Sequence, residues 1–295
     1  MKEIEEIRSY CLNCKNSQCR IKGCPLGNCI PEFIHEIDSK KAYEILCNTT
    51  VLPAICGRIC PHEKQCEGSC IRGIKGEPVS IGAMEAYIGD LSIENNYELS
   101  IEVDERTKDK RVAVIGSGPA GLTCAAFLAR RGVKVVVYEK HDKLGGLLTH
   151  GIPEFRLPRE VVEKTIEKIL DLGVEVKLNQ ELGRDFEIED LAKKYDAVFV
   201  FINMNGFAQE NTVRLSYSMS HSLEIPWYVK EVPTVFVSLN LTNHLIDVPM
   251  ARTYINAYSA NRCYVRKTLE KMAGKEKFLG QCDDNVFCDR MDTRW

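Results

Sequence analysis

Apolar runs alternate with amphipathic stretches between residues 111 and 202. RVAVIG at 111–116 and VKVVVYEK at 133–140 are short apolar runs that predict buried strands, and SGPAGLTCAAFLARRG between them has helical spacing. The alternation continues as a helix at 158–173, a strand at 174–178, a short helix at 187–195 and a strand at 196–202. Because strand, helix and strand follow one another, we predict an α/β fold with a parallel sheet.

The pattern divides the chain into four parts. Residues 1–92 carry cysteine, glycine and proline instead of regular alternation, and residues 93–110 are polar and highly charged, which is typical of a linker. The α/β alternation occupies residues 111–202. Residues 203–295 differ in texture, with a predicted strand at 232–240 and a helix-like segment at 265–274. We therefore predict a small α-helical domain, a linker, an incomplete Rossmann-like fold and a short α/β tail.

Charge and hydropathy exclude two classes of partner. The 295 residues include 39 Lys and Arg against 42 Asp and Glu, a net charge of −3 that gives no overall field for nucleic acid or an anionic membrane. No apolar run approaches the roughly 20 residues of a membrane span, and the first residues lack the apolar core of a signal peptide. We expect a cytoplasmic protein with no nucleic-acid or membrane partner.

Cysteine usage points to metal chemistry. Ten of the 14 cysteines lie in the segment from Cys11 to Cys70, and in a reducing compartment they are unsuited to disulfides. They form two groups of short spacing, at 11, 14, 19 and 24, and at 56, 60, 66 and 70, with Pro after Cys24 and Cys60. Such spacing favours [4Fe-4S] clusters. Structural zinc and inert buried thiols are the alternatives.

A glycine motif lies between the first two predicted strands. Gly116, Gly118 and Gly121 form a G-x-G-x-x-G run that follows a strand and opens a helix, with Ser117, Pro119 and Ala120 between the glycines. These glycines permit a tight turn and let backbone N–H groups approach a pyrophosphate. Glu139 follows the motif at the end of the second strand, where an acid can accept a hydrogen bond from a ribose hydroxyl. The pattern predicts a dinucleotide site.

Residues 5–200 resemble a known family. CLNCKNSQCRIKGCPLGNCIPEF, AYEILCNTTVLPAICGRICPHEKQCEGSCIRG and PVSIGAMEAYIGD are similar to the iron–sulfur domain of the glutamate synthase small subunit, which dihydropyrimidine dehydrogenase shares. The resemblance implies two interleaved [4Fe-4S] clusters. One would be held by Cys11, Cys14, Cys19 and Cys70. The other would be held by Cys24, Cys60, Cys66 and a non-cysteine ligand, Glu85.

The same comparison has one departure and leaves three cysteines over. Four residues separate Cys19 from Cys24 where relatives usually have three, which makes Cys24 the least secure ligand. Cys29, Cys47 and Cys56 receive no ligand role, and we expect them to be small buried side chains.

The resemblance also implies FAD as the nucleotide. EKHDKLGGLLTHGIPEFRLP is similar to a second flavin-contacting segment of the family, with Gly145, Gly146 and Leu147 as its G-G-L turn. By the same likeness Leu147 and Arg156 would contact the flavin, and Leu182 would lie near the adenine. No catalytic acid or base is predicted.

In complete relatives, NADPH reduces FAD and electrons then pass through the clusters to a large subunit or another acceptor protein. The family's closing FAD turn and its second glycine-rich unit are not found after Val200, so we expect this chain to lack the NADPH domain and to be impaired as an enzyme. Residues 201–295 instead resemble the C-terminal end of family-3 glycoside hydrolases, which suggests a chimera or a truncation; the alternative is a frameshifted reading of the NADPH domain. The alternative function is a non-catalytic iron–sulfur or zinc-binding module with a degenerate nucleotide fold.

Overall fold

The computed structural model describes residues 2–199, 235–238, 253–256 and 271. The chain divides into two compact units, one of residues 1–180 with 195–199 and the other of residues 181–194 with 200–295. The predicted iron–sulfur part and the Rossmann-like sheet therefore belong to the same unit. The predicted boundaries at 92, 110 and 202 stay predictions.

The amino-terminal part is helical, as the sequence predicts. Its α-helices are α1 (Lys2–Tyr10), α2 (Ile30–His35), α3 (Ser39–Cys47), α4 (Pro53–Ile59) and α5 (Ile81–Glu94). A π-helical turn at Cys19–Gly23 and 3₁₀ turns at His62–Lys64 and Ile71–Ile74 complete it. The start of α3 shows the local cause, because the Asp38 carboxylate accepts hydrogen bonds from the backbone N–H groups of Lys40 and Lys41.

Helices α4 and α5 cross at glycines. A Cβ atom added to Gly57 would lie 2.3 Å from the backbone nitrogen of Ala86, and one added to Gly89 would lie 2.4 Å from that of Ala54. Side chains larger than hydrogen therefore do not fit at these positions. The crossing brings Cys56, which precedes Gly57, and Glu85, which precedes Ala86, to the same side of the helix pair.

The second half of this unit is the predicted parallel sheet. Its strands β1 (Arg111–Ile115), β2 (Lys134–Tyr138), β3 (Glu175–Lys177) and β4 (Ala197–Phe199) lie in the order β3-β2-β1-β4, and every pairing is parallel. The connecting helices are α6 (Pro119–Arg130), α7 (Leu147–His150) and α8 (Arg159–Leu170), and α9 (Ile188–Ala192) belongs to the second unit. This order is that of a Rossmann half, in which ligands bind at the carboxyl ends of the strands where the order reverses.

Residues 95–110 precede α6 in the chain, but part of this segment runs alongside the carboxyl end of α6 and forms hydrogen bonds with it. Glu102 and Asp104 donate backbone hydrogen bonds to the carbonyl oxygens of Arg130 and Arg131, at 2.8 and 3.0 Å. The predicted linker is therefore fixed to the Rossmann-like part by ordered contacts.

The described part of the tail consists of two short strands. β5 (Val235–Ser238) and β6 (Thr253–Asn256) pair in parallel, and β5 falls within the strand predicted at 232–240. Cys263, Cys282, Cys288, His221, Trp227 and His244 lie outside the described residues, as does most of the segment that resembles a glycoside hydrolase. Among the described helices, none has the length and apolar character needed to cross a bilayer.

Gly57→Ala is expected to destabilise the amino-terminal part by about 1 to 3 kcal/mol, because overpacking forces two helix backbones apart. Gly73→Ala is the matched control, since the nearest atom to its Cβ would be Pro78 Cβ at 3.8 Å. Urea unfolding of the metal-free chain, followed by circular dichroism, measures both variants. Equal midpoints for the two variants would show that the crossing tolerates a methyl group.

Candidate functional site

The four cysteines of the first predicted set line one cavity. Cys11, Cys14, Cys19 and Cys70 share one cleft. Cys70 is distant from the other three in the sequence, so the fold and not the local spacing brings it there.

Local backbone geometry positions these thiols. Cys11 follows directly after α1, Asn13 adopts a left-handed conformation with φ of 48°, Cys19 begins the π-helical turn and Cys70 caps the 3₁₀ turn at Ile71–Ile74. Short turns of this kind let nearby residues aim their side chains inward. The remaining cavity wall is largely apolar and includes Ile30, Ile34, Val79 and Ile81.

The thiols of the first set affect one another's ionisation. Burial raises the pKa of Cys11, and the neighbouring Cys14 and Cys70 raise it further, although the backbone N–H of Asn13 opposes the shift. Burial, with Cys70 as the next contribution in the same direction, raises the pKa of Cys19 to about 11. Four thiolates here would repel one another, so a cationic centre that takes up their charge would be strongly favoured.

Three of the four predicted ligands of the second set are electrostatic neighbours. Burial raises the pKa of Cys24, and Glu85 contributes in the same direction. Burial, together with Glu67, Glu85 and Cys24, raises the pKa of Cys66 to about 12. Cys24, Cys66 and Glu85 therefore lie together, although Cys24 follows the π-helical turn, Cys66 lies in a loop and Glu85 is in helix α5.

Cys60 is connected to this group through Cys56. The neighbouring Cys60 thiol, followed by burial, raises the pKa of Cys56, whose thiol also lies 3.7 Å from the Thr50 hydroxyl. Glu85 is only 5% exposed, and burial, followed by the neighbouring Cys56, raises its pKa well above the usual value. Burying an ionised carboxylate with no cation beside it costs free energy, and a bound metal ion would remove that cost. The burial of Glu85 is therefore what we expect of a side chain that ligates a metal.

This donor set fits iron–sulfur clusters. All ten cysteines from Cys11 to Cys70 are free thiols, and thiolate is the ligand that such clusters take. Within the described residues, no three His, Cys, Asp or Glu side chains converge on a point that could hold a single metal ion. The ligand assignments, residue by residue, stay predictions.

Two polar residues near the second set were not predicted. His62 Nδ1 lies 3.4 Å from Cys66 Sγ, and its Nε2 lies 3.2 Å from the Gly57 carbonyl oxygen. Asn28 is 3% exposed and bonds to Glu85. Neither residue belongs to a pattern of spacing, so only the packing reveals them. Of the three cysteines without an assigned role, Cys47 is 2% exposed, as expected for a small core side chain, whereas the same expectation is wrong for Cys29 and Cys56, which are only half-buried.

The glycine motif forms a loop at the carboxyl end of β1. Gly116 has φ of 92° and donates to the Tyr138 carbonyl oxygen at 2.8 Å, and Gly118 is the N-cap of α6, whose first turn contains Pro119 and Ala120. A Cβ atom on Gly121 would lie 2.0 Å from the Gly116 carbonyl oxygen, whereas one on Gly118 would meet nothing within 4 Å. Gly121 therefore permits close packing, and Gly118 leaves open space at the amino end of a 12-residue helix.

Ser117 and Glu139 join this loop to the second strand. The Glu139 carboxylate accepts hydrogen bonds from the Ser117 backbone N–H at 2.9 Å and the Ser117 hydroxyl at 2.5 Å, and from the His141 backbone N–H at 2.9 Å. Burial of Glu139 opposes its ionisation, but these hydrogen bonds outweigh it and lower its pKa. Glu139 thus orders the loop, a role beyond the predicted ribose contact, which stays a prediction.

The G-G-L turn lies against the glycine motif. Gly145 donates to both the carbonyl oxygen and the hydroxyl of Ser117 at 3.1 Å, and a Cβ atom on Gly146 would lie 2.9 Å from Gly118 Cα. The structure therefore brings together the two segments that the resemblance assigns to the nucleotide.

For the other residues predicted to contact the flavin, the structure gives their exposure and their position in the chain but does not test the contact. Leu147 is 66% exposed, and the Arg156 side chain is exposed. Leu182 lies in the second unit, where it forms a bridge with Phe186.

Glu139→Gln is expected to lower the free energy of unfolding by about 1 to 3 kcal/mol at pH 7, because it removes the charge that Ser117 and His141 bond to. Since the folded state lowers the pKa of Glu139, its contribution is complete above the ordinary value of 4.5 and declines as the pH falls through the lowered value. The difference between parent and variant should therefore shrink in acid. Denaturant unfolding at pH 7 and below pH 4 measures it, with exposed Glu154→Gln as control. A difference independent of pH would contradict the assignment.

Comparison with known proteins agrees with both parts of the fold. Residues 2–97 match the family described as dihydropyrimidine dehydrogenase domain II, 4Fe-4S cluster. Residues 114–164 match the family described as NAD(P)-binding Rossmann-like domain.

Curated relatives are similar over about two thirds of this chain. The glutamate synthase (NADPH) small chain of Escherichia coli is 43% identical over 193 residues, which is 64% of this chain and 40% of that protein. The subunit PreT of the NAD-dependent dihydropyrimidine dehydrogenase of Salmonella typhimurium is 35% identical over 200 residues, 67% of this chain and 48% of that protein. The chain thus spans less than half the length of these relatives. It carries an iron–sulfur domain of the dihydropyrimidine dehydrogenase domain II type, followed by a Rossmann-like domain, and is similar to the glutamate synthase small chains.

Proposed function

We propose that this chain is an electron-transfer module of a glutamate-synthase-small-subunit-type oxidoreductase, which passes electrons between FAD and two [4Fe-4S] clusters. When bound, such clusters exchange single electrons and a flavin exchanges one or two. The protein's own residues bind the cofactors, exclude water and fix the distances. No residue is assigned an acid or base role.

The observation that carries this proposal is the convergence of Cys11, Cys14, Cys19 and Cys70 on one cleft. Three thiols at short spacing would suit several metals, but a distant fourth thiol matches the interleaved arrangement that the resemblance implies. Apolar walls limit water around such a centre and so influence its reduction potential. The second group, with Cys24, Cys66 and Glu85 as neighbours, supports a second cluster.

FAD is proposed as the nucleotide because the G-G-L turn lies beside the glycine motif. The motif itself would serve NAD(P) as well as FAD. The segment around Gly145 and Gly146, tied to Ser117, is the feature that resembles flavoproteins of this family. Gly118 provides the open space in which a pyrophosphate would accept hydrogen bonds from the start of α6.

Contacts between α6 and the iron–sulfur part would keep the cofactors at a fixed separation. The Arg130 guanidinium, on α6, is 6% exposed and donates to the Cys47 carbonyl oxygen, at the end of α3, and to the carbonyl and hydroxyl of Ser100. Lys168, on α8, donates to the Tyr97 carbonyl oxygen. Because Arg130 is buried with its hydrogen bonds made, its position is well determined.

The proposed partner is a large subunit or another electron-acceptor protein. The free thiols of the amino-terminal part call for a reducing compartment, so we propose the cytoplasm.

Cys70→Ser is expected to remove one of the two clusters. Anaerobically purified parent protein should be brown and contain about eight iron atoms per chain, the sum of two [4Fe-4S] clusters. The variant should contain about four, because one ligand of the first set is lost. Cys124→Ser, a half-buried thiol in α6, is the control and should keep all the iron. One or two zinc atoms without visible absorbance in the parent would contradict the proposal, and unchanged iron in Cys70→Ser would contradict the first ligand set.

Gly118→Ala is expected to weaken FAD binding without destabilising the metal-free and flavin-free chain. Its methyl group meets no protein atom but would occupy the space proposed for the pyrophosphate. Gly121→Ala is the contrasting variant, because its methyl group would clash with the Gly116 carbonyl oxygen and should lower stability as well. Quenching of FAD fluorescence on titration measures binding, and thermal unfolding measures stability. FAD affinity equal to that of the parent in Gly118→Ala would argue against this site.

A further inference from the structure

Asn28 contacts two of the residues proposed to ligate the second cluster. It lies four residues after Cys24, beyond a turn in which Gly27 has φ of 65°. Its backbone N–H points to Cys24 Sγ at 3.5 Å, and its side-chain Nδ2 donates to Glu85 Oε1 at 3.4 Å. Asn28 and Glu85 are 3% and 5% exposed, so water is largely excluded from both.

The Thr49 hydroxyl contacts the end of the Asn28 amide that lies opposite Glu85. The Thr49 hydroxyl bonds to Asn28 Oδ1, which leaves Nδ2 to face Glu85. Once Glu85 is ionised as a ligand, a flip that exchanged the amide oxygen and nitrogen would direct the carbonyl oxygen at its carboxylate and bring two acceptors together. The ionised Glu85 carboxylate therefore selects the orientation in which Nδ2 faces it, and the Thr49 hydroxyl is then a donor to Oδ1.

Glu85 has little else to orient it. In the part of the chain that the structure describes, Asn28 is the one side chain that donates a hydrogen bond to Glu85. The Cys24, Cys56 and Cys66 thiols also interact with Glu85 electrostatically. The bond from Asn28 engages Oε1 and leaves Oε2 for another partner.

We infer that Asn28 is a positioning residue, which orients the Glu85 carboxylate so that Oε2 can ligate iron in the second cluster. The inference rests on the proposed function, in which Glu85 is the fourth ligand. Carboxylate is a harder ligand than thiolate and binds iron of a cluster less strongly, so its preorganisation matters more than that of a cysteine. Groups that hydrogen-bond to a metal ligand typically contribute about 10- to 100-fold to metal affinity.

The experiment follows iron release from the reconstituted full-length chain to a chelator. In Asn28→Ala, half of the iron should be released about 10 to 100 times faster than in the parent, and the other half at the parental rate. Glu85→Ala should show the same two phases. The double variant should be no faster than Glu85→Ala, because Asn28 acts through Glu85. EPR spectra of the dithionite-reduced protein should change for one cluster only.

Two further variants separate positioning from folding. Asn28→Asp keeps the size and the Thr49 bond but replaces the donor by an anionic oxygen, so it should match or exceed the effect of Asn28→Ala. It also provides the test if Asn28→Ala does not fold. Exposed Asn48→Ala is the control and should behave as the parent.

The possible outcomes test the role of Asn28 separately from the proposed function. Fast release in Glu85→Ala with parental release and EPR in both Asn28 variants would overturn the inference alone. Additive effects in the double variant would also overturn it, since Asn28 would then act elsewhere. Parental behaviour of Glu85→Ala would remove Glu85 as a ligand and the inference with it. A parent chain that assembles no cluster would overturn the proposed function itself.

Discussion

The close crossing of α4 and α5 is the contact on which the amino-terminal part depends. Hydrogen in place of a side chain at Gly57 and Gly89 lets two backbones meet, and no larger residue fits there. The crossing places Cys56 and Glu85 side by side and fixes where Cys60 begins the next loop. Thiols that would repel one another once ionised are thus held in place by packing before any metal arrives.

In the nucleotide half, hydrogen bonds instead of helix packing hold the site in place before a ligand binds. Ser117, inside the glycine motif, hydrogen-bonds both to Glu139 and to Gly145 of the G-G-L turn. A loop of glycines has much conformational freedom to lose, and a buried carboxylate that accepts several N–H and O–H groups restricts it. The open space at Gly118 is therefore preformed.

Features that produce a regular pattern of residues could be predicted from the sequence. Strands β1 to β4, helices α6 and α8 and the glycine loop follow from periodicity and spacing, and the grouping of Cys70 with Cys11 followed from family resemblance. Asn28 and His62 could not be predicted, because single polar residues gain a role only when folding brings a distant partner to them. The ordered contacts of residues 102–104 with α6 were also missed, since a charged linker and a charged surface strip have the same composition.

The buried Arg130 has a consequence for how this protein can be divided. Its guanidinium belongs to the Rossmann-like part, yet all three of its acceptors lie outside that part, at Cys47 and Ser100. A fragment beginning at β1 would expose the apolar surroundings of Arg130 and leave its donors to water, so the interior of the nucleotide domain is completed by the domain before it. The two regions differ in sequence and in chemistry, but each needs the other to complete its interior. The nucleotide domain could therefore be moved to another protein only together with Ser100 and the end of α3.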